Sequence, residues 1–476
     1  MPALTTTVLA VAGVLLTATL YVAGFLSALH ALGRTRTVEG TIGWVVSLLL
    51  FPPAALPAYW LLRTFKFQSY ADALARARRE HRPQLAGLLA GLRSGRAAAL
   101  PAEVLAIERL AELPFTAGNR VRLLPTGRET FDAMFAAIAA AERVLLVQSF
   151  IVRDDRLGRE VQARLAARAR AGVRVHFLGD AMGCHGLPRE YDDGLAAAGV
   201  RVARFRTSRR WADRWQVNFR NHRKLLVADG RVALVGGNNI GVEYLGEGPL
   251  GPWHDAHVEV TGPAAAAAQA SFLADWYWAT REVIEPLPPG APAGDAAVLP
   301  LATGPTDEFE RCTMFFLHAL GMARRRLWIA TPYFVPDESI EDALRLAALR
   351  GVDVRVVLPG RPDHRIVWLA AFAFLDELRG TDIRVFRRHD GFLHRKVVLV
   401  DDALAAVGTA NFDNRSFRLN FELTMAAACP RLAADVAAMF EADFAASDEV
   451  GGDELRRRPY PFQVAARAAR LLGPVL

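Results

Sequence analysis

Asn221-His-Arg-Lys-Leu-Leu-Val-Ala-Asp229 returns in outline as Leu393-His-Arg-Lys-Val-Val-Leu-Val-Asp401, and the repeat decides the fold. The His, Lys and Asp of the first copy, His222, Lys224 and Asp229, are each displaced by 172 residues to His394, Lys396 and Asp401. The register persists beyond them, since Gly236, Gly237 and Asn239 match Gly408, Thr409 and Asn411. The chain holds 11 His, and of its 57 basic residues only Lys66, Lys224 and Lys396 are lysine. Two accidental copies in step are very improbable against that background. Each copy reads as strand, tight turn, strand. Period-two alternation sets His222 and Lys224 on one face, and the next strand, Val232 to Val235, ends at glycines that let backbone approach a ligand.

Two histidines, two lysines and two asparagines that converge between packed halves suit a phosphodiester. One imidazole is a competent nucleophile near neutral pH and a second can protonate the leaving alkoxide. Ammonium and amide donors neutralise the non-bridging oxygens as charge develops, and a compact ammonium fits where a planar guanidinium demands a bidentate partner. A nucleophilic histidine also needs its tautomer set by a carboxylate. The candidates are Asp255, in Trp253-His-Asp-Ala-His257, and Glu422, in Leu419-Asn-Phe-Glu422. Asp229 and Asp401, although part of the repeated catalytic motif, read as ordering the turn and its hydrogen bonds. Thr409 stands where the first copy has Gly237, so only one half has a hydroxyl there and the halves are chemically unequal. Neither carboxylate position demands a metal, and the remaining residues form no coherent set of metal ligands.

Working outward, the elements around each motif also repeat. Arg143-Val-Leu-Leu-Val-Gln-Ser-Phe-Ile-Val152, a helix, and Val173-Arg-Val-His-Phe-Leu178 are answered by Arg326-Leu-Trp-Ile-Ala-Thr-Pro-Tyr-Phe-Val335, a helix, and Val352-Asp-Val-Arg-Val-Val-Leu358. Strands alternating with helices indicate an α/β domain, here duplicated about the Pro- and Gly-rich linker Pro286 to Gly294. The expected organisation is an anchor at 1–65, a linker helix region at 66–110, halves at 111–290 and 291–450, and a basic amphipathic tail at 451–476.

The doubled pattern resembles the phospholipase D superfamily, and the sequence around it is similar to the bacterial cardiolipin synthases within it. The similar stretches are Phe150-Ile-Val-Arg-Asp-Asp155, Gly236-Gly-Asn-Asn-Ile240, Tyr333-Phe-Val-Pro-Asp337, Asp363-His364, Gly391-Phe-Leu-His394 and Gly408-Thr-Ala-Asn-Phe-Asp-Asn-Arg-Ser416. The resemblance implies two mixed-sheet halves related by a pseudo-twofold, with the active site between them and membrane helices in front. It implies that His222 forms a phosphatidyl-histidine and His394 serves as general acid, then base, although the two roles could be exchanged. It also implies chemistry without metal or cofactor, in which one phosphatidylglycerol donates a phosphatidyl group, glycerol leaves, and a second phosphatidylglycerol accepts it. A hydrolase with water as acceptor shares the covalent step, and a membrane-tethered nuclease is the third reading.

Composition bears on the choice. The chain has 476 residues, is 52% hydrophobic and carries a net charge of +7. Residues 1–33 and 40–62 contain no Lys, Arg, Asp or Glu, and about 20 apolar residues cross a hydrocarbon core. The first stretch, Thr6 to Leu32, is read as a retained span. The second, Ile42 to Leu62, is interrupted by Pro52, Pro53 and Pro57, so either a bent span or a re-entrant hairpin fits. The cluster Arg63, Lys66, Arg76, Arg78, Arg79 and Arg82 outweighs Arg34 and Arg36 and places the large domain on the cytoplasmic side of the inner membrane. Nine basic residues from Arg201 to Lys224, interleaved with Phe205, Trp211, Trp215 and Phe219, suit anionic headgroups; they also suit nucleic acid, but the hydrophobic anchors argue against a nucleic-acid partner. The tail, with Arg456, Arg457, Arg458, Arg467 and Arg470, reads equally as a membrane-surface or a solvated helix. His364 is a candidate for lining the lipid site. Cys184, Cys312 and Cys429 are too few and scattered for a disulfide framework.

Overall fold

The computed structural model describes residues 2–33, 38–62, 68–80, 82–98, 100–207 and 219–476. It divides into two compact units, residues 1–68 with 207–219, and residues 69–206 with 220–476. Arg34, Arg36, Arg63, Lys66, Trp211 and Trp215, which carry part of the orientation and headgroup expectations, lie outside the described residues.

In the first unit Pro2–Leu32 is one 31-residue helix. Its stretch Val8–Leu32 is long and apolar enough to cross a membrane, and almost all of it is unburied. The second apolar stretch breaks at Phe51 into the helices Val38–Leu50 and Pro52–Leu62. The Trp44 and Tyr59 rings lie 5.2 Å apart, whereas 15 residues of straight helix would separate them by about 22 Å. The chain therefore turns back on itself at Phe51. Leu48, Ala55 and Tyr59 pack on Ala28 and Ala31 of the long helix. At Gly24 a Cβ would sit 2.4 Å from the Leu48 carbonyl oxygen, so only glycine permits that approach.

The second unit is built on a 16-stranded sheet whose order is nearly palindromic. From the seam outward the first half runs Thr116–Leu124, His257–Thr261, Val232–Gly236, Leu225–Ala228, Val144–Ser149, Arg174–Asp180 and Arg201–Phe205. The second half runs Ala296–Thr303, Asn420–Ala428, Leu404–Gly408, Val397–Val400, Arg326–Ala330, Asp353–Pro359 and Arg384–Arg388, with Ser447–Val450 on the outer edge. Thr116–Leu124 and Ala296–Thr303 pair antiparallel at the seam, so the two halves share one sheet. In each half three neighbouring strands away from the seam are parallel and the inner ones antiparallel, and the added edge strand Ser447–Val450 is antiparallel to its neighbour. Helices cover the parallel part, as buried parallel strands require.

Local chemistry repeats with the topology. Helix Arg156–Arg170 starts at Asp155, whose carboxylate accepts from the Gly158 N–H at 2.8 Å; helix Glu338–Leu349 starts at Asp337, which accepts from Ile340 at 3.0 Å. Such caps satisfy orphan donors of the first turn. Each half has its own apolar core, one around Leu145, Val147, Leu165 and Phe177, the other around Leu327, Ile329, Leu344 and Val356. The tail helix Tyr460–Arg470 lays Phe462 and Ala466 against Trp368, Phe372 and Ala373, so this part of its apolar side is occupied by protein.

Candidate active site

Two short parallel strand pairs cross between the halves and build the site. Arg220–Asn221 pairs with the start of Asn420–Ala428, and Phe392–Leu393 pairs with Trp253–His254. Each histidine follows the end of such a strand, and its own backbone N–H continues the crossing: His222 donates to Phe421 O at 2.9 Å, His394 to His254 O at 2.8 Å. The residue after each accepting carbonyl is a carboxylate. His222 Nδ1 thus lies 3.0 Å from Glu422, and His394 Nδ1 lies 2.6 Å from Asp255. Each imidazole meets the carboxylate of the opposite half. With Nδ1–H donating to a carboxylate, Nε2 keeps its lone pair for the pocket.

The lysines complete the buried cluster. Lys224 Nζ donates to its own motif's His222 O at 2.7 Å, and Lys396 Nζ donates to His394 O and lies 3.5 Å from Asp255 Oδ2. Lys224 also stands 5.3 Å from the Phe150 ring, whose edge meets the His222 ring. Burial dominates the electrostatics. It lowers the His222 pKa and pushes His394 down to about 4, Lys224 to about 7 and Lys396 to about 8. The same burial would raise Asp255, but Lys396 and His394 overcome it and hold that carboxyl at about 2; His222 does likewise for Glu422. Both carboxylates are ionised and both imidazoles neutral near pH 7.

The remaining sequence candidates fall into three places. Thr409 Oγ1 donates to Glu422 Oε2 at 2.5 Å, and Asn420 Nδ2 to Oε1 at 3.0 Å. At the matching Gly237, a Cβ would sit 2.1 Å from Asp255 Oδ1, so the shorter carboxylate leaves no room for a side chain. Asn239 accepts from the Ile151 N–H and donates to Tyr244 Oη, while Asn411 donates to Asp413; both amides spend a bond on the surrounding loops. Asp229 and Asp401 sit at the far ends of Leu225–Ala228 and Val397–Val400 from the histidines. Their carboxylates accept from three successive backbone N–H groups each, of Glu142, Arg143 and Val144, and of Arg324, Arg325 and Arg326. With φ of +53° and +51° they make the turn, and their carboxylates are bonded there rather than among the two histidines and two lysines. His364 is exposed, its ring 6.0 Å from that of Tyr333, and His257 is tied to Asn238 in the sheet.

Sequence reasoning missed the arginines inside the motifs. Arg223 is buried, bonds Asp275 at 2.8 Å, and reaches across the seam to Glu422 O and Thr303 O. Arg395 pairs with Asp443 and reaches back to Pro125 O. The shared His-Arg-Lys triplet was the signal. The Asp275 cluster also receives Tyr70, Gln148 and Asn221, a set with no local sequence pattern.

Residues 316–444 match the family described as "Cardiolipin synthase, PLD-like domain". The chain is 44% identical over 465 residues to cardiolipin synthase A of Pseudomonas putida, covering 96% of this chain and 97% of that one. It is 46% identical over 467 residues to the Pseudomonas aeruginosa protein of that name, covering 96% and 94%. Among solved structures, phosphatidylserine synthase of Haemophilus influenzae superposes with a TM-score of 0.61 at 16% identity, over 79% of this chain and 100% of that one, a likeness of fold. With crossed His–carboxylate pairs, twin buried lysines and relatives aligned over nearly its whole length, this chain belongs to the cardiolipin synthase family of the phospholipase D superfamily.

Proposed function

We propose that the protein transfers a phosphatidyl group from one phosphatidylglycerol to another, making cardiolipin and releasing glycerol, through a phosphohistidine. The observation that carries this reading is the pair of imidazoles, each with Nδ1 on a carboxylate of the opposite half and Nε2 left for the pocket. His222 Nε2 attacks phosphorus, the P–O bond to glycerol breaks, and His394 gives its proton to the departing oxygen. A second phosphatidylglycerol then loses a hydroxyl proton to His394, its oxygen attacks phosphorus, and the P–N bond breaks.

Charge supports this assignment. Two carboxylates and two ammonium groups cancel, so a phosphodiester anion and one protonated histidine enter together with no net charge buried. Lys224 and Lys396 face the non-bridging oxygens as charge grows there. Asp229 and Asp401 keep the turns, and Thr409 holds the Glu422 carboxylate. The apolar helix Val8–Leu32 fits a membrane anchor for an enzyme whose substrate is lipid; we place the catalytic body at the cytoplasmic face.

The test is lipid turnover by purified protein in detergent micelles with labelled phosphatidylglycerol alone. Cardiolipin and free glycerol, lost in His222→Ala and His394→Ala, are expected. Phosphatidic acid as the sole product would move the acceptor to water and replace the synthase by a hydrolase.

A further inference from the structure

The two sides of the histidine pair differ in chemistry although the strands beneath them match. On the first-half side, the chain leaves Val144–Ser149 through Phe150 and Ile151, and the next parallel strand, Arg174–Asp180, leads to half-exposed Met182. This side offers no free carboxylate: Asp180 is buried and spent on the Met182, Gly183 and Asn221 N–H groups, Phe150 meets the His222 ring, and at Gly183 a Cβ would strike the Phe150 backbone, so the loop lies directly on it. On the second-half side, Arg326–Ala330 ends beside the motif, Ala330 pairing with Val397 next to Lys396. Three residues on stands Tyr333, at the position equivalent to Ile151. The equivalence is set by Ser149 and Thr331, each of which donates its hydroxyl to the carbonyl two residues ahead. Asp363 follows the adjacent parallel strand Asp353–Pro359.

Tyr333 Oη donates to Asp363 Oδ2 at 2.5 Å, and Asp363 Oδ1 accepts from the His364 N–H at 2.6 Å. The carboxylate keeps 15% of its side-chain surface open. It is near enough to His394 and Lys396 to push against the burial that lowers both. A carboxylate repels a phosphate, so beside an anionic substrate it suits a part of the molecule that donates hydrogen bonds. Carboxylate oxygens have room for several donors, and Tyr333 and His364 use one each.

We propose that Asp363, oriented by Tyr333, binds the free hydroxyls of the glycerol headgroup, while the Phe150–Ile151–Met182 wall takes the apolar, diacylglycerol side of the same lipid. This inference deepens the proposed function and rests on it. It also bears on the roles of the histidines. In an in-line displacement the leaving oxygen departs opposite the nucleophile and next to the general acid. A glycerol held at Asp363 leaves on the His394 side, so His394 protonates it and His222 carries the phosphatidyl group. The acceptor lipid then places its own glycerol in the same subsite, one hydroxyl facing the now neutral His394.

A donor-selectivity experiment tests this. Phosphatidylpropanol keeps the phosphodiester and lipid but lacks both free hydroxyls, and a site built to bond hydroxyls discriminates against such an analogue. With the full-length enzyme in micelles, kcat/KM is measured for formation of the phosphatidyl-enzyme from phosphatidylglycerol and from phosphatidylpropanol. In Asp363→Asn the loss is expected to be at least tenfold greater on phosphatidylglycerol than on phosphatidylpropanol, and in Tyr333→Phe a smaller shift in the same direction. An unchanged ratio, including equal or complete loss on both donors, overturns the subsite. Absence of phosphatidylglycerol turnover in the unaltered enzyme instead removes the proposed function itself, so the two failures are distinct.

Discussion

At the scale of single residues, the site is two unequal copies of one device. Glu422 is held by Thr409 and Asn420 and serves His222; Asp255 sits against Gly237 and serves His394. Removing the Thr409 hydroxyl strips a charge-assisted bond, worth about 1.5 kcal/mol or roughly tenfold in rate. Thr409→Val is therefore expected to slow phosphatidyl-enzyme formation about tenfold. The unaltered enzyme, denatured in base during turnover of radiolabelled phosphatidylglycerol, should carry label at the peptide containing residue 222, read by mass spectrometry; label at no histidine would dismiss the covalent step. Protonation gives a third prediction. Burial leaves Lys224 at about 7, Lys396 at about 8 and His394 at about 4, and an incoming anion raises all three. Anion affinity is therefore greatest at low pH and falls as pH rises through 7 and 8. Tungstate, whose charge is constant across this range, should bind at least tenfold more weakly at pH 9 than at pH 7. Calorimetry in two buffers of different ionisation heat should show proton uptake at pH 8.

At the scale of elements, the short crossing strands and the turns matter most. Asp229 ties its turn to Glu142, Arg143 and Val144 at the entry to the strand Val144–Ser149, far along the sheet from His222. Asp229→Ala deletes three charge-assisted acceptors and is expected to cost about 2 kcal/mol. Thermal melting would show the loss, while kcat of the protein still folded changes less than threefold. A hundredfold fall in kcat at unchanged melting temperature would return Asp229 to the chemistry. The break in the apolar stretch 42–62 was legible in the sequence, but the packing around it was not. Its prolines announced a break, yet the reversal needs the contacts of Leu48, Ala55 and Tyr59 on the neighbouring helix, and of Trp44 on Tyr59.

At the scale of the whole molecule, neither half of the second unit holds both members of a His–carboxylate pair. His222 without Glu422, or His394 without Asp255, loses the carboxylate that sets its tautomer. We place the junction of the halves in the linker at Pro286 to Gly294, and a chain broken there into 1–290 and 291–476 tests it. Each fragment alone is expected to be inactive, and coexpression to restore cardiolipin formation, because Thr116–Leu124 and Ala296–Thr303 rejoin the sheet. Activity from either fragment alone would refute the crossed arrangement.

The sequence by itself determined the duplication, the two histidines and two lysines proposed for the chemistry, and the family, because a 172-residue register of rare residues is written in the covalent chain and needs no folding to be seen. It also supplied Asp255 and Glu422 as candidates. Only the tertiary structure decided which carboxylate meets which histidine, since that choice rests on two-residue parallel strands pairing across the seam. It alone revealed Arg223 and Arg395 as straps to the opposite half and brought Tyr333 and Asp363 to one wall. The physical reason is the same in each case. Contacts between residues 30 to 270 positions apart leave no periodicity in the sequence; the Tyr333–Asp363 pair exists only once neighbouring strands of one half have paired, and the others only once the two halves of the sheet have joined.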